Sequence, residues 1–347
     1  MYFSGYNEYN FLFQIWCTMT QNAASSAKTT NATSGMVLSL LVALFCWCVV
    51  FFSNDQQVTV IVPENNLFES FLQNFQNATI FTYIFNCLLI IGLSLLLLNL
   101  NRYFTIIRNK TFLPFLFYTL FLATNTSVFF SLSGNLITLI LLICLFQLFK
   151  CYQKPKAVEE AFNIGLLLSL GSFISPQILF FIPIMWIGFI FFKISSIKTC
   201  LSSIAGVITP YWFVFCWYIY IKDIPSFYQQ FHNFFQFNPE VILNFEISDW
   251  IRSGFTLLMT VLAIINIQLH SFKDKIRSRV IFYFMFTVII IDVILLILGI
   301  LHTTEYAGIY YLLASLFAAH FFATNHGRFV IIFFYLIILT YIGLLFV

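Results

Sequence analysis

The sequence predicts an all-α fold: a polytopic transmembrane helix bundle of about 11 spans, with short paired helices and amphipathic outer-face helices. Three observations predict it. Of 347 residues, 61% are apolar and 8% are charged, against roughly a quarter charged in a soluble domain. The apolar residues gather in runs near the roughly 20 residues that cross a ~30 Å hydrocarbon layer. The few charges sort cleanly by loop. This composition excludes a soluble globular domain, a disordered chain and a nucleic-acid binder, because water would not tolerate the apolar surface left outside.

The elements follow in order. Residues 1–35 form an N-terminal cytoplasmic or interfacial segment and linker. Within it, 11–17 (FLFQIWC) is apolar enough to lie in the interface, and 19–35 is polar and rich in Ser, Thr, Asn and Ala. No basic n-region marks a cleavable signal peptide. The transmembrane domain is 36–347. Its apolar runs are 36–53, 79–99, 111–124, 127–149, 163–175, 178–192, 201–221, 253–270, 280–301, 308–324 and 329–346. Residues 54–78 and 222–252 are large outer loops. Leu67, Phe68, Phe71, Leu72 and Phe75 in the first, and Phe227, Phe231, Phe234 and Phe235 in the second, recur at helical spacing. Each loop therefore reads as an amphipathic helix on the outer membrane face.

Charge sets the orientation. With the N-terminus in the cytoplasm of a bacterial inner membrane, fourteen of the 16 basic residues fall inside, and only Lys222 and Arg252 fall outside. The positive-inside rule requires this orientation. Asp55, Glu64, Glu69, Asp223, Glu240, Glu246, Asp249 and Glu305 all fall in outer loops. Residues 163–192 have lysines at both ends, so both ends share one side and the segment doubles back. About 15 residues per leg make roughly 22 Å of helix, short of a full crossing. Gly165, Gly171, Pro176 and Pro183 interrupt it. Residues 111–149 repeat the pattern, with Asn125 at the turn.

Few residues can carry chemistry. Asp55 and Glu64 are outer-loop carboxylates that could act as a general base. Lys222 and Arg252 are cations on the disfavoured side, suited to a lipid phosphate or to pairing with Asp223 and Asp249. Asp292 is the one carboxylate within a predicted span, near its centre, where an ionisable group is costly; it reads either as a proton-relay site or as a protonated group that hydrogen-bonds a neighbour. Ser315 is expected at similar depth, and His320 closer to the cytoplasmic end. The eight cysteines show no metal-ligand spacing, and no metal site is expected from the residues. No P-loop, dinucleotide fingerprint, H-E-x-x-H or G-x-S-x-G motif occurs.

The stretch FNIGLLLSLGSFISPQILFFIPIMW, followed by the basic turn KISSIK and a span reaching Pro210, resembles a hairpin of type-C glycosyltransferases, which use polyprenyl-phosphate sugars. Gly165, Leu166, Leu167, Leu168, Leu170 and Pro183 match it, and Ile174-Ser175 replace its Thr-Lys. The resemblance spans about residues 36–222. It implies a polyprenyl-linked sugar or lipid handled at the outer face, Asp55 or Glu64 at the catalytic position, and a divalent metal as the cofactor such enzymes can use. The chain also resembles a family of bacterial polytopic inner-membrane proteins with no assigned reaction, through LNRYF at Arg102 and LPFLFYTLFLAT at 113–124. The sequence favours a glycosyltransferase-like protein, active or with activity lost; the alternatives are a non-catalytic subunit that meets a membrane-protein partner, and a secondary transporter. All three work among membrane lipids and without nucleic acid.

Overall fold

The computed structural model describes residues 37, 39–50, 79–109, 111–154, 157–222, 224–225, 247–270, 275–325 and 328–345. Among them every regular element is a helix. In chain order these are α1 (Ser39–Val50), α2 (Thr79–Phe104), α3 (Leu113–Thr124), α4 (Thr126–Phe129), α5 (Leu132–Lys150), α6 (Val158–Ser172), a 3-10 turn (Pro176–Phe180), α7 (Phe181–Phe191), α8 (Ile197–Ile221), α9 (Ile247–His270), α10 (Ile276–Ile297), α11 (Thr303–Thr324) and α12 (Arg328–Leu344). Each apolar run of the sequence meets a helix, with 127–149 divided between α4 and α5 and 178–192 between the 3-10 turn and α7. Six, namely α2, α5 and α8 to α11, are long and apolar enough to cross a membrane. The others are shorter.

Helix ends are set by local chemistry. Asn125 closes α3 and caps α4, its side chain accepting from the Val128 N–H. The predicted turn at Asn125 is therefore present. Ser131 caps α5 through the Gly134 N–H. Ser196 and Thr199 form a reciprocal capping box that starts α8, satisfying donors that a helix start otherwise leaves unpaired.

The helices share two ends. At one, Arg277 Nη2 donates to the Phe149 carbonyl (3.0 Å) and Ser278 Oγ to the Thr105 carbonyl (3.2 Å). Asn109 Nδ2 donates to the Ala323 carbonyl (2.8 Å). This basic end gathers the C-termini of α2, α5 and α11 with the N-terminus of α10. At the far end, Asn135 Nδ2 donates to Asn86 Oδ1 (2.8 Å), Asn86 Nδ2 to the Phe129 carbonyl, and Asn125 Nδ2 to the Tyr311 hydroxyl (2.9 Å). The hairpin doubles back as the lysines required. The Gln153 N–H donates to the Phe192 carbonyl (3.1 Å), joining its two ends at the basic end.

Helix α11 is the axis of the bundle. It packs against α3, α4, α5, α9 and α10, and every residue from Glu305 to His320 is buried. Gly134 lets α5 approach its first turn, since a Cβ there would stand 2.7 Å from the Thr304 carbonyl oxygen. A second tight seam joins α6 to α8, which run parallel. Ser202 Oγ donates to the Val158 carbonyl (2.7 Å), and Ser172 and Tyr211 share a hydrogen bond (2.6 Å) two to three turns further along. Ala161, Gly165 and Ser169 of α6 and Thr199, Ser203 and Gly206 of α8 are buried or line the crossing. Small residues of this kind let membrane helices approach backbone to backbone.

Candidate functional site

The far end of α11 holds a buried cluster of carboxyl and hydroxyl groups. Glu305 lies in the first turn of α11 and is completely buried. This corrects the expectation that it lies in an outer loop: the helix starts at Thr303, and the close approach of α5 at Gly134 covers that turn. Ser133 Oγ donates to Glu305 Oε1 (3.5 Å), and Ser131 shares a hydrogen bond with Ser133 (3.3 Å). Ser175 lies beside the same carboxyl group and accepts from the Tyr306 hydroxyl (3.0 Å). Ser175 is the residue at the break of the 163–192 hairpin, immediately before the 3-10 turn. The interruption foreseen in the sequence therefore meets the first turn of α11.

Asp292, on α10, is 1% exposed, and neither carboxyl oxygen has a hydrogen-bond partner. Tyr306 and Tyr310 of α11 are both within its electrostatic reach, and Tyr306 is also within reach of Glu305. The Tyr306 phenol thus feels both carboxyl groups, while its hydrogen bond goes to Ser175. Tyr310 in turn shares a hydrogen bond with Thr260 of α9 (3.3 Å). Two expectations about Asp292 change. Because α10 ends at Ile297, Asp292 sits about 8 Å from the far end by helix rise rather than at mid-span. Its neighbours are the tyrosines, while Ser315 Oγ donates to the Leu312 carbonyl (2.7 Å). His320 packs against Phe282 (4.8 Å between centroids), nearer the basic end, as expected.

Neither carboxyl group forms an ion pair with a described residue; the ion pair among them is Lys154–Glu160 (2.8 Å), at the basic end. Burial holds the His302 imidazole, just before α11, below the ordinary histidine range. Burial thus disfavours a positive charge on the turn that carries Glu305. The described residues contain no group of three His, Cys, Asp or Glu side chains able to hold a metal ion. What the cluster offers is a set of groups that exchange protons, enclosed in an apolar bundle.

The remaining site candidates are placed less fully. Asp55 and Glu64 lie outside the described residues. Lys222 is exposed and ends α8 in the left-handed conformation. Arg252, near the start of α9, is half-buried. Asp223 and the side chain of Asp249, their expected partners, lie outside what is described. At the basic end a shallow groove of about 430 Å³ is lined by Val158, Glu159, Phe162, Asn163 and Ser202, away from every candidate residue.

No protein-family model, no curated protein and no solved structure matches this chain.

Proposed function

We propose that this chain is an integral membrane protein of the secondary-transporter class, and that the Glu305–Tyr306–Asp292 cluster is its proton-holding site. One observation carries the reading. Two carboxyl groups without ion pairs are buried in helices able to span a bilayer, and hydroxyl groups tie one of them to the break in a short hairpin. Buried ionisable groups in such helices are expensive and mark proton or ion pathways, and interrupted helices are tolerated where they line such a path. In this reading the chain makes eleven crossings of a bacterial inner membrane. The N-terminus and the basic end are cytoplasmic, and the enclosed cluster lies toward the outer face. The test is proton flux into vesicles of reconstituted protein, driven by a potassium diffusion potential and read by an entrapped pH dye. Flux in the native protein, with at least a tenfold loss in Glu305→Gln and Asp292→Asn, is the expected result. Flux no greater than in protein-free vesicles, or unchanged in both variants, removes the reading.

A second reading is favoured by where the long loops leave. Residues 54–78 and 222–252 join helices at the far end, the same end as the carboxyl cluster. In a glycosyltransferase-like protein Asp55 or Glu64 would act on an acceptor there, Lys222 and Arg252 would hold the phosphate of a polyprenyl-linked sugar, and a divalent metal would assist. A transfer assay comparing the native protein with Asp55→Asn and Glu64→Gln tests it. Equal rates in all three remove both residues from consideration.

A further inference from the structure

At the opposite end of the bundle from the carboxyl cluster, three helix ends meet around one arginine. Arg277, in the first turn of α10, lays its guanidinium over the Phe104 ring at the end of α2 (4.9 Å) and the Tyr152 ring beyond α5 (5.7 Å). Its Nη2 donates to the Phe149 carbonyl of α5. Lys150, the next residue, sits over the Phe146 ring (4.7 Å). Rings and a helix C-terminal carbonyl fix the guanidinium, yet they use one of its five N–H donors. Its Nε is buried without a hydrogen-bond partner, and so is the Nε of Arg279 two residues on.

Nothing described neutralises this charge. Around the basic end the described side chains include nine cations, Arg102, Arg108, Lys150, Lys154, Lys193, Lys198, Lys275, Arg277 and Arg279, but the only carboxylates are Glu159 and Glu160. Glu160 is paired with Lys154. A held cation with unused donors and no counter-charge among the described residues is suited to receive an anion. If α2, α5 and α10 span the bilayer, their ends lie at the depth of lipid headgroups, and the surface around them is apolar. We propose that Arg277 and Lys150 form a binding site for the phosphate of an anionic phospholipid, its acyl chains lying along α2 and α5. Arg is suited to phosphate by its planar fork, and basic pockets between membrane helices hold such headgroups. The site rests on the membrane reading and is independent of proton transport.

The test measures retention of phosphatidylglycerol by the full-length protein, purified in a mild detergent, by native mass spectrometry. Phosphatidylcholine and inorganic phosphate serve as separate probes. Phosphatidylglycerol is expected to bind in preference to phosphatidylcholine, and its affinity to fall about fivefold in Lys150→Gln and at least as much in Arg277→Gln, the scale of one headgroup cation. Lys198→Gln, a cation of the same end outside the cluster, is expected to change little. Arg277→Gln also loses a bond between α10 and α5, so Lys150→Gln decides the matter if that variant does not fold. Equal loss in Lys198→Gln, undiminished binding in Lys150→Gln, or displacement of the lipid by millimolar inorganic phosphate would overturn the proposal.

Discussion

Two residues of one cluster are expected to behave oppositely when changed. Tyr306 donates a buried hydrogen bond to Ser175, and Tyr306→Phe removes the donor while keeping the ring. The expected loss is about 1 kcal/mol of stability, read by thermal unfolding in detergent. Asp292 has no hydrogen bond to lose, and Asp292→Asn exchanges one unpartnered buried polar group for another of the same shape, so its cost is expected to be smaller than the about 1 kcal/mol of a lost hydrogen bond. A large loss there would mean that the carboxyl group is a structural bond after all. At the basic end, Lys154 hydrogen-bonds Glu160 and holds its carboxyl below the usual carboxylate range, while Glu160 holds Lys154 above its own. The pair therefore contributes above the ordinary carboxylate pKa, about 4.3, and below the ordinary lysine value, about 10.4. Its contribution disappears as pH falls through the Glu160 value or rises through that of Lys154. The native protein is expected to lose more of its thermal midpoint between pH 7 and about pH 3, a window that extends below the ordinary carboxylate value, than Glu160→Gln does. Equal losses would show that the pair does not matter. Of these residues the sequence singled out Asp292 alone. Glu305 escaped because counting apolar runs placed the start of its helix after it, at residue 308. Its burial comes from the approach of α5 at Gly134, a contact between elements distant in the chain.

At the scale of elements, the α6–α8 seam makes the sharpest forecast. A Cβ on Gly165 would meet the backbone of Ser203, and one on Gly206 the backbone of Phe162. Backbone cannot give way as a side-chain tip can, so Gly165→Ala and Gly206→Ala are each expected to cost about 1–3 kcal/mol. Gly92 of α2 has nothing within 4 Å of its added methyl. Gly92→Ala is expected to be neutral or slightly stabilising, because alanine is the better helix former. Unfolding in a graded series of denaturing detergent ranks the three, and a neutral Gly165→Ala would mean that the seam opens easily. The presence of these helices was legible, since every apolar run became helical, and lysines on both flanks revealed that 163–192 doubles back; the break of 127–149 at Ser131 was not foreseen. Which faces meet was not. Helices α10 and α11 are apolar all round, so no periodic polar stripe separates a lipid-facing side from a protein-facing one.

For the whole molecule, the open quantity is orientation. The basic end is a geometric fact, with Arg277, Ser278, Asn109 and Gln153 tying helix ends together there. Its assignment to the cytoplasm follows from the positive-inside rule. In a background with its 8 cysteines replaced, Lys222→Cys in intact cells is expected to react with a membrane-impermeant maleimide. Lys193→Cys is expected to react only after the cells are opened. The reverse pattern would invert the molecule and put Glu305 on the inner side. Length and composition alone established the helical class, because so few charges leave no soluble alternative. They could not count the crossings, because α1, α3, α7 and α12 are apolar yet shorter than a span.

The parallel seam between α6 and α8 also bears on how the chain is made. Helix α6 has 15 residues and α7 has 11, each too short to be held in a bilayer as an independent span. If the chain is inserted as proposed, the hairpin would enter the bilayer as a unit, with α6 first seated against α5. The closer backbone seam would form only once Ser203 and Gly206 of α8 had also emerged from the ribosome.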